Sequence, residues 1–206
     1  MIRGDLSNRL VHLTRATSEF DAAAQFRSIV SDGYLKGSNR DIRGRFKCVC
    51  FSEAPLSVLT HSLGLPLDEN GMRYSAFGVI VSKKWLFDQG GRPVIYQPND
   101  EYDMLHDQQK YRHVRYEPER EIDFTWEREW RICTEKLELV SAETTFIVPT
   151  RDWEQYFIDE HIKDVAAQTF TVEVPVSPQM KWHFIVLEDL GVEGFDKFTS
   201  NACCLS

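Results

Sequence analysis

The chain has 206 residues, of which 42% are hydrophobic and 27% charged, values that are ordinary for one globular domain spanning 1–206. Its formal net charge of −8 argues against a dedicated, high-affinity nucleic-acid binder. Because no apolar run approaches the roughly 18 residues of a membrane span, and the polar segment 1–8 lacks the core of a secretory signal, we expect a cytoplasmic protein without a membrane partner.

The first predicted elements are a strand and a helix. The apolar run 10–13 predicts a strand, and Thr17 or Ser18 is a suitable N-cap for a helix over 18–33. In that segment, SEFDAAAQFRSIVSDG, apolar residues recur near helical spacing, and Gly33 is a natural C-terminal stop.

A basic segment follows this helix. Residues 1–50 carry nine Lys/Arg against five Asp/Glu, a net of +4, so the remaining residues carry 15 against 27, a net of −12. The excess is concentrated in KGSNRDIRGRFK, 36–47, with five basic residues and one acidic. Two interpretations stay open: a solvated loop, or a mobile basic loop that meets a phosphate-bearing ligand.

The rest of the chain predicts many strands and few long helices. The further elements, in chain order, are a strand at 46–52, a short helix after Pro55, a strand near 76–81, a helical turn closed by Gly90-Gly91, a strand at 92–98, a helix at 101–116, a long strand at 121–139, a strand at 144–150, an amphipathic helix at 151–168 and strands at 170–176 and 181–190. There is no regular βαβ alternation, so we expect an α+β fold rather than a doubly wound sheet.

The cysteines do not suggest a disulfide framework or a metal site. They are Cys48, Cys50, Cys133, Cys203 and Cys204. An odd number, with two adjacent at the tail, is typical of reduced thiols, and the first three with His61 are a poor zinc set. The last four residues have the C-a-a-X form, but no polybasic cluster precedes them, so we expect no lipid anchor.

The segment TWEREWRICTE, 125–135, carries the most informative charge pattern. If it is a strand, side-chain alternation places Glu127, Glu129 and Arg131 in a row on one face, about 7 Å apart, and Trp126 and Trp130 on the other. Two carboxylates that close raise each other's pKa unless a cation intervenes, and Arg131 or a ligand could supply it. The row is either an exposed charge ladder or a catalytic constellation.

Three other segments place polar side chains on predicted strands. His12 and Thr14 share one face of the first strand, where they could hold a ligand amide or ribose. Ser52 ends the strand CVCFSE, and Tyr74 precedes a strand entrance, where its ring could stack on a flat ligand. No G-x-S-x-G elbow, Walker A loop, G-x-G-x-x-G fingerprint or H-E-x-x-H motif is present.

Taken in order, the segments VHLT, CVCFSE, RYSAFG and EREWR resemble the bacterial ADP-ribosyltransferase-fold proteins around the DarT toxins, and more closely the abortive-infection, AbiGi-like relatives marked by C-F-S-E and E-x-E-W-R. The resemblance spans residues 10–133. It implies a split, strongly bent mixed β-sheet with flanking helices that binds NAD, as co-substrate, in a central cleft.

The resemblance also implies roles for individual residues. Glu129 matches the catalytic glutamate and Glu127 the first acid of the E-x-E motif, and Arg45 or its neighbour Arg43 falls where such enzymes carry a functional arginine. The residues implied in NAD binding are His12, Thr14, Ser52, Tyr74 and Arg43. No metal site is implied.

The implied activity is that of an NAD-dependent ADP-ribosyltransferase, a glycosyltransferase acting on a nucleic acid or protein as a toxin or anti-phage defence effector. An antitoxin or regulatory partner is a further candidate. A carboxylate bonded to the ribose 2′-hydroxyl gains strength as oxocarbenium charge develops, which fits a glutamate. The alternatives are a catalytically silent nucleotide-sensing module of the same fold, and an NAD glycohydrolase that hands ADP-ribose to water.

Overall fold

The structure is a computed structural model that describes residues 7–15, 19–60, 66–68, 71–72, 74–169 and 180–193. Its strands are β1 (Arg9–Leu13), β2 (Tyr34–Lys36), β3 (Cys48–Ser52), β4 (Pro66–Asp68), β5 (Gly71–Met72), β6 (Gly78–Ser82), β7 (Arg92–Pro93), β8 (Ile95–Gln97), β9 (His113–Arg115), β10 (Glu129–Cys133), β11 (Lys136–Glu138), β12 (Thr144–Val148) and β13 (His183–Val186). Its α-helices are α1 (Glu19–Asp32), α2 (Leu56–Leu59), α3 (Lys83–Asp88) and α4 (Arg151–Thr169).

The central feature is a mixed sheet of seven strands in the order β13-β12-β6-β1-β3-β10-β7. The strand β3 pairs antiparallel with both β1 and β10, β10 pairs antiparallel with β7, and β12 pairs parallel with β13. The predicted α+β class, with a mixed sheet and flanking helices, is therefore confirmed. The split, strongly bent form that the resemblance implies stays a prediction.

The chain forms two compact units. The first comprises the described parts of Met1–His12, Gly33–His61 and Ile80–Glu143, and the second those of Leu13–Asp32, Ser62–Val79 and Thr144–Ser206. The single domain expected from chain length stays a prediction.

The second unit has an aromatic core. Phe26 on α1 is fully buried, and its ring centroid lies 5.3 Å from that of Phe77, 5.3 Å from that of Phe146 and 5.2 Å from that of Phe157. Rings at such separations attract one another by about 0.5–1.5 kcal/mol beyond the burial of their area. The helix α1 ends where the sequence predicts, since Gly33 follows it with φ of 72°, a left-handed conformation that suits glycine.

The predicted long strand at 121–139 is wrong. A 3-10 turn occupies Thr125–Glu127, and β10 begins only at Glu129. The break lies at Arg128, whose φ of 46° and ψ of 51° are left-handed and incompatible with an extended strand. The same stretch continues through Thr134 and Glu135 into β11, which pairs with β2 rather than with the central sheet.

Two other predicted elements also differ. The expected helix at 101–116 is two 3-10 helices, Asn99–Met104 and Asp107–Arg112, followed by β9, because the backbone is extended at Leu105 (ψ 140°) and His106 (ψ 141°). The expected strand at 92–98 is divided between β7 and β8, which belong to different sheets. The predicted N-cap at Thr17 or Ser18, the strand at 170–176 and the tail cysteines lie outside the described residues.

No helix in the described ranges is both long enough and apolar enough to cross a lipid bilayer.

Candidate functional site

The first unit brings three of the sequence motifs onto neighbouring strands. Val11 on β1 pairs with Ser52 on β3, and Ser52 pairs with Glu129 on β10. Directly opposed residues of an antiparallel sheet point to the same face, so these three side chains form one row across the sheet. Further along β3 and β10, the same face receives Cys50 opposite Arg131.

His12 belongs to the alternate set of positions. Its ring centroid lies 5.7 Å from that of Phe51, which pairs with Trp130 on β10. Since side chains alternate along a strand, His12 faces away from the row that holds Ser52 and Glu129. Its Nδ1 lies 2.8 Å from the carbonyl oxygen of Cys50. A carbonyl can only accept, so Nδ1 carries the proton and holds the imidazole against β3.

Glu129 is held by a bidentate ion pair with Arg131. Nε of Arg131 donates to Oε1 of Glu129 at 2.7 Å, and a terminal nitrogen donates to Oε2 at 3.0 Å. The other terminal nitrogen donates to the carbonyls of Tyr111 at 3.0 Å and His113 at 2.9 Å. The two side chains are 12% and 6% exposed, so the guanidinium is almost completely satisfied by the protein. The cation expected near the carboxylate is therefore Arg131.

The surroundings of this pair control its electrostatics. Burial alone would lower the pKa of Arg131, but the charge and hydrogen bonds of Glu129 raise it above its ordinary value. Burial, and then the neighbouring Glu129 charge, raise the pKa of the Cys50 thiol well above its ordinary value. The hydroxyl of Tyr96 accepts from the backbone N–H of Glu129 at 3.0 Å, and burial raises the pKa of Tyr96 to about 12. Glu129 therefore lies beside a neutral thiol and a neutral phenol.

Glu127 does not continue the row, and this part of the sequence prediction is wrong. It closes the 3-10 turn before the left-handed Arg128, where strand alternation does not apply, and its side chain is buried. Ser52 connects this turn to β3 by a hydrogen bond. Its hydroxyl donates to the carbonyl of Glu127 at 2.5 Å and accepts from the N–H of Ala54 at 3.1 Å. The hydroxyl of Ser52 thus fixes the backbone two residues before Glu129.

A second polar cluster on the opposite face was missed by the sequence reasoning. The buried carboxylate of Glu53 accepts hydrogen bonds from Nζ of Lys83 and, at 2.8 Å, from Nε1 of Trp130. Nζ of Lys83 also lies over the Trp130 ring, 5.5 Å from its centroid. Beside it is a cavity of about 510 Å³. Its lining residues are Asn8, Ser82, Lys83, Lys84, Phe87 and Trp130. The sequence signal was the acid placed directly after a core strand in CFSE.

The two candidate arginines of the basic loop have different environments. The guanidinium of Arg43 lies 4.0 Å from the ring centroid of Tyr102, and it donates to the carbonyl and, at 2.7 Å, to Oδ1 of Asn99. Arg45 has φ of 59° and is exposed. Within the described residues neither guanidinium hydrogen-bonds the side chains of Ser52 or Glu129. Arg43 anchors the loop, and Arg45 projects from it.

Thr14 and Tyr74 lie in the second unit. The hydroxyl of Thr14 is buried, 2.5 Å from that of Ser75, and it donates to the carbonyl of Phe77 at 3.0 Å. The ring of Tyr74 lies 5.4 Å from the guanidinium carbon of Arg15. The roles in NAD binding expected for these residues stay predictions.

No protein-family model, curated protein or solved structure matches the chain. Across the part of the chain that the structure describes, no group of three or more His, Cys, Asp or Glu side chains is placed to hold a metal ion.

Proposed function

We propose that the protein is an NAD-dependent ADP-ribosyltransferase whose reacting carboxylate is Glu129. The observation that carries the proposal is the register of β1, β3 and β10, which sets three motif segments on adjacent strands with Ser52 and Glu129 directly opposite. The ordered resemblance of these segments to the transferases supports the same function. The acceptor is a nucleic acid or a protein, and the biological role is that of a toxin or anti-phage effector.

The local chemistry suits this role. A carboxylate offers about four lone-pair positions, of which Arg131 uses two and the Cys50 thiol a third, so one can accept a ribose hydroxyl. A bond of this kind strengthens as positive charge develops on the sugar, and one preorganised group is worth roughly 2.7–4 kcal/mol. Arg131 and the Tyr96 hydroxyl fix the side chain and backbone of Glu129, so little reorganisation is needed.

The basic loop supports an acceptor or donor that carries phosphate. Lys36, Arg40, Arg45 and Lys47 are exposed, and the anchored Arg43 holds the loop in place. A positive segment on an otherwise acidic chain attracts phosphate locally while the remaining surface repels it. An arginine there can contact a pyrophosphate bidentately.

The test is incubation with labelled NAD and a mixture of nucleic acids and proteins, with nicotinamide release measured in parallel. We expect Glu129→Gln to abolish label transfer by at least about 100-fold. Glu138→Gln is the matched control, because Glu138 is exposed and forms its ion pair with Lys136 on its own strand. Thermal melting of both variants shows whether the loss comes from unfolding.

Equal transfer by the wild type and Glu129→Gln would remove Glu129 as the catalyst. Nicotinamide release without any labelled macromolecule would assign an NAD glycohydrolase. Absence of both label transfer and release from the wild type would contradict the enzyme proposal.

One observation favours a second candidate, a silent nucleotide-sensing module. Arg131 neutralises Glu129 in a largely buried pair, and the hydroxyl of Ser52 is already committed to backbone groups. A paired carboxylate offers less stabilisation to developing positive charge than a free one. For this candidate, NAD should raise the melting temperature without any nicotinamide release.

A further inference from the structure

Cys48 and Cys133 face each other across β3 and β10, at the end of the strands away from Ser52 and Glu129. The N–H of Thr134 donates to the carbonyl of Lys47 at 2.9 Å, so the neighbouring pair is a hydrogen-bonded one. Pair types alternate along an antiparallel ladder, which makes the two cysteines a non-hydrogen-bonded pair. The backbone of Cys48 agrees, because its N–H and C=O bond to Ser38 on the other side of β3.

This pair type is geometrically suited to a disulfide. Residues in a non-hydrogen-bonded pair have Cα atoms about 4.5 Å apart, with their side chains close together, and disulfides span Cα separations of about 4.4–6.8 Å. At the other end of the ladder the N–H of Glu53 bonds the carbonyl of Arg128 at 3.1 Å, which confirms the register over the whole pairing. A bond between the two sulfurs would therefore require no change of strand register.

The two thiols differ in access. Cys133 is exposed, whereas Cys48 is 2% exposed. The pKa of Cys48 is raised to about 12, first by burial and then by the charge of Cys133 and a hydrogen bond with its thiol. An oxidant in solution therefore reaches Cys133 first, with its neighbour sulfur already in hydrogen-bond contact.

Cys50 lies on the same face but is not placed to compete. It is opposite Arg131, so it is diagonal to Cys133 on the ladder. Diagonal neighbours across an antiparallel pair lie about 7–8 Å apart, beyond the reach of a disulfide without backbone movement. Strand register therefore places Cys48, and not the half-buried Cys50, opposite Cys133.

We propose that Cys48 and Cys133 form a reversible cross-strand disulfide when the protein meets a peroxide. The Cys133 sulfur attacks one peroxide oxygen, the O–O bond breaks, and Cys133 becomes a sulfenic acid with release of water. The Cys48 sulfur then displaces the hydroxyl from the Cys133 sulfur, and its proton leaves with that hydroxyl as a second water. Both thiols are oxidised by two electrons in total, the peroxide is reduced by two, and a thiol reductant reverses the reaction.

The disulfide would cross-link β10 to β3 covalently on the face that carries Arg131 and Glu129. It would also close a long chain segment between two adjacent strands, which restricts the unfolded state more than the native one. This inference does not depend on the proposed function, because it rests on the strand register and the exposure of Cys133.

The test is treatment of the folded, full-length protein with hydrogen peroxide, followed by peptide mapping without reduction. We expect a Cys48–Cys133 linked peptide in the wild type and in Cys50→Ser, and none in Cys48→Ser or Cys133→Ser. The oxidised wild type should melt about 5–10 °C higher than the reduced protein, and dithiothreitol should reverse the shift.

The mapping of the wild type alone decides the proposal if a serine variant does not fold. Linkage of Cys133 to Cys50, Cys203 or Cys204, linkage only between chains, or oxidation of Cys133 to sulfinic acid without any bond to Cys48 would each overturn it.

Discussion

Glu129 and Arg131 form an ion pair that stabilises the fold and also contains the proposed reacting carboxylate. The pair is largely buried, bidentate and extended by two backbone carbonyls, so its members stabilise each other whatever else they do. A buried pair adds little compared with apolar residues of the same size, but losing one partner leaves an uncompensated charge. Stability and activity must therefore be measured on the same variants.

We expect Arg131→Met to lower the free energy of unfolding by about 3–5 kcal/mol, because it leaves the Glu129 carboxylate buried without its cation. The double variant Glu129→Met with Arg131→Met should recover most of this loss. Urea unfolding of the four proteins in the cycle gives the coupling energy directly.

Arg151→Met is the matched control, since the side chain of Arg151 is 63% exposed and its pairing with Asp189 is solvated. Its cost should stay within about 1 kcal/mol. An equal cost for the two arginine variants would show that the buried pair contributes no more than a surface contact.

At the level of secondary-structure elements, the sequence predicts what local patterns determine. Alternation and turn residues locate β1, β3, β6 and β12 within about two residues, and helical spacing with a terminal glycine locates α1. The same alternation correctly pairs Glu129 with Arg131, because both lie inside one regular strand.

The sequence does not predict features that depend on an unusual backbone or on distant partners. Arg128 is left-handed although it is not glycine, and this single residue removes Glu127 from the strand. Glu53 meets Trp130 from 77 positions away, a contact that tertiary pairing alone creates. Strand register likewise decides that His12 and Glu129 lie on opposite faces, and no local pattern near His12 indicates it.

The basic loop offers a prediction at this level. Gly44 has φ of +84°, and a Cβ there would lie closer than 3.0 Å to the hydroxyl of Tyr102 and to the ring of Phe46. Gly44→Ala should therefore displace the Tyr102 ring on which Arg43 rests. Gly90→Ala is the control, because Gly90 has φ of +101° with no atom within 4 Å of an added Cβ among the described residues.

We expect Gly44→Ala to cost about 1–2 kcal/mol more than Gly90→Ala, since both variants strain the backbone but only one adds a collision. Chemical denaturation of both proteins measures the difference. Equal costs would mean that the loop and the Tyr102 and Phe46 rings move to accept the methyl group without further loss of stability.

At the scale of the whole molecule, the boundary between the two compact units falls within two strands. The strands β1 and β6 each contribute residues to both units, β1 up to His12 in the first and β6 from Ile80 onward in the first. A strand cannot lose the residues at one of its ends to unfolding without weakening the rest of its ladder. We therefore expect one cooperative transition, as is usual for smaller single domains.

Phe26→Ala tests this expectation, because Phe26 is fully buried in the second unit among three other phenylalanines. The cavity should cost about 3–5 kcal/mol, whereas Ile162→Ala, at a position 45% exposed, should change stability by less than about 0.5 kcal/mol. Tryptophan fluorescence and far-UV circular dichroism should report the same shifted midpoint for Phe26→Ala. Two separate transitions, with only one of them shifted, would instead show that the second unit folds independently and that the residues around Glu129 do not share its stability.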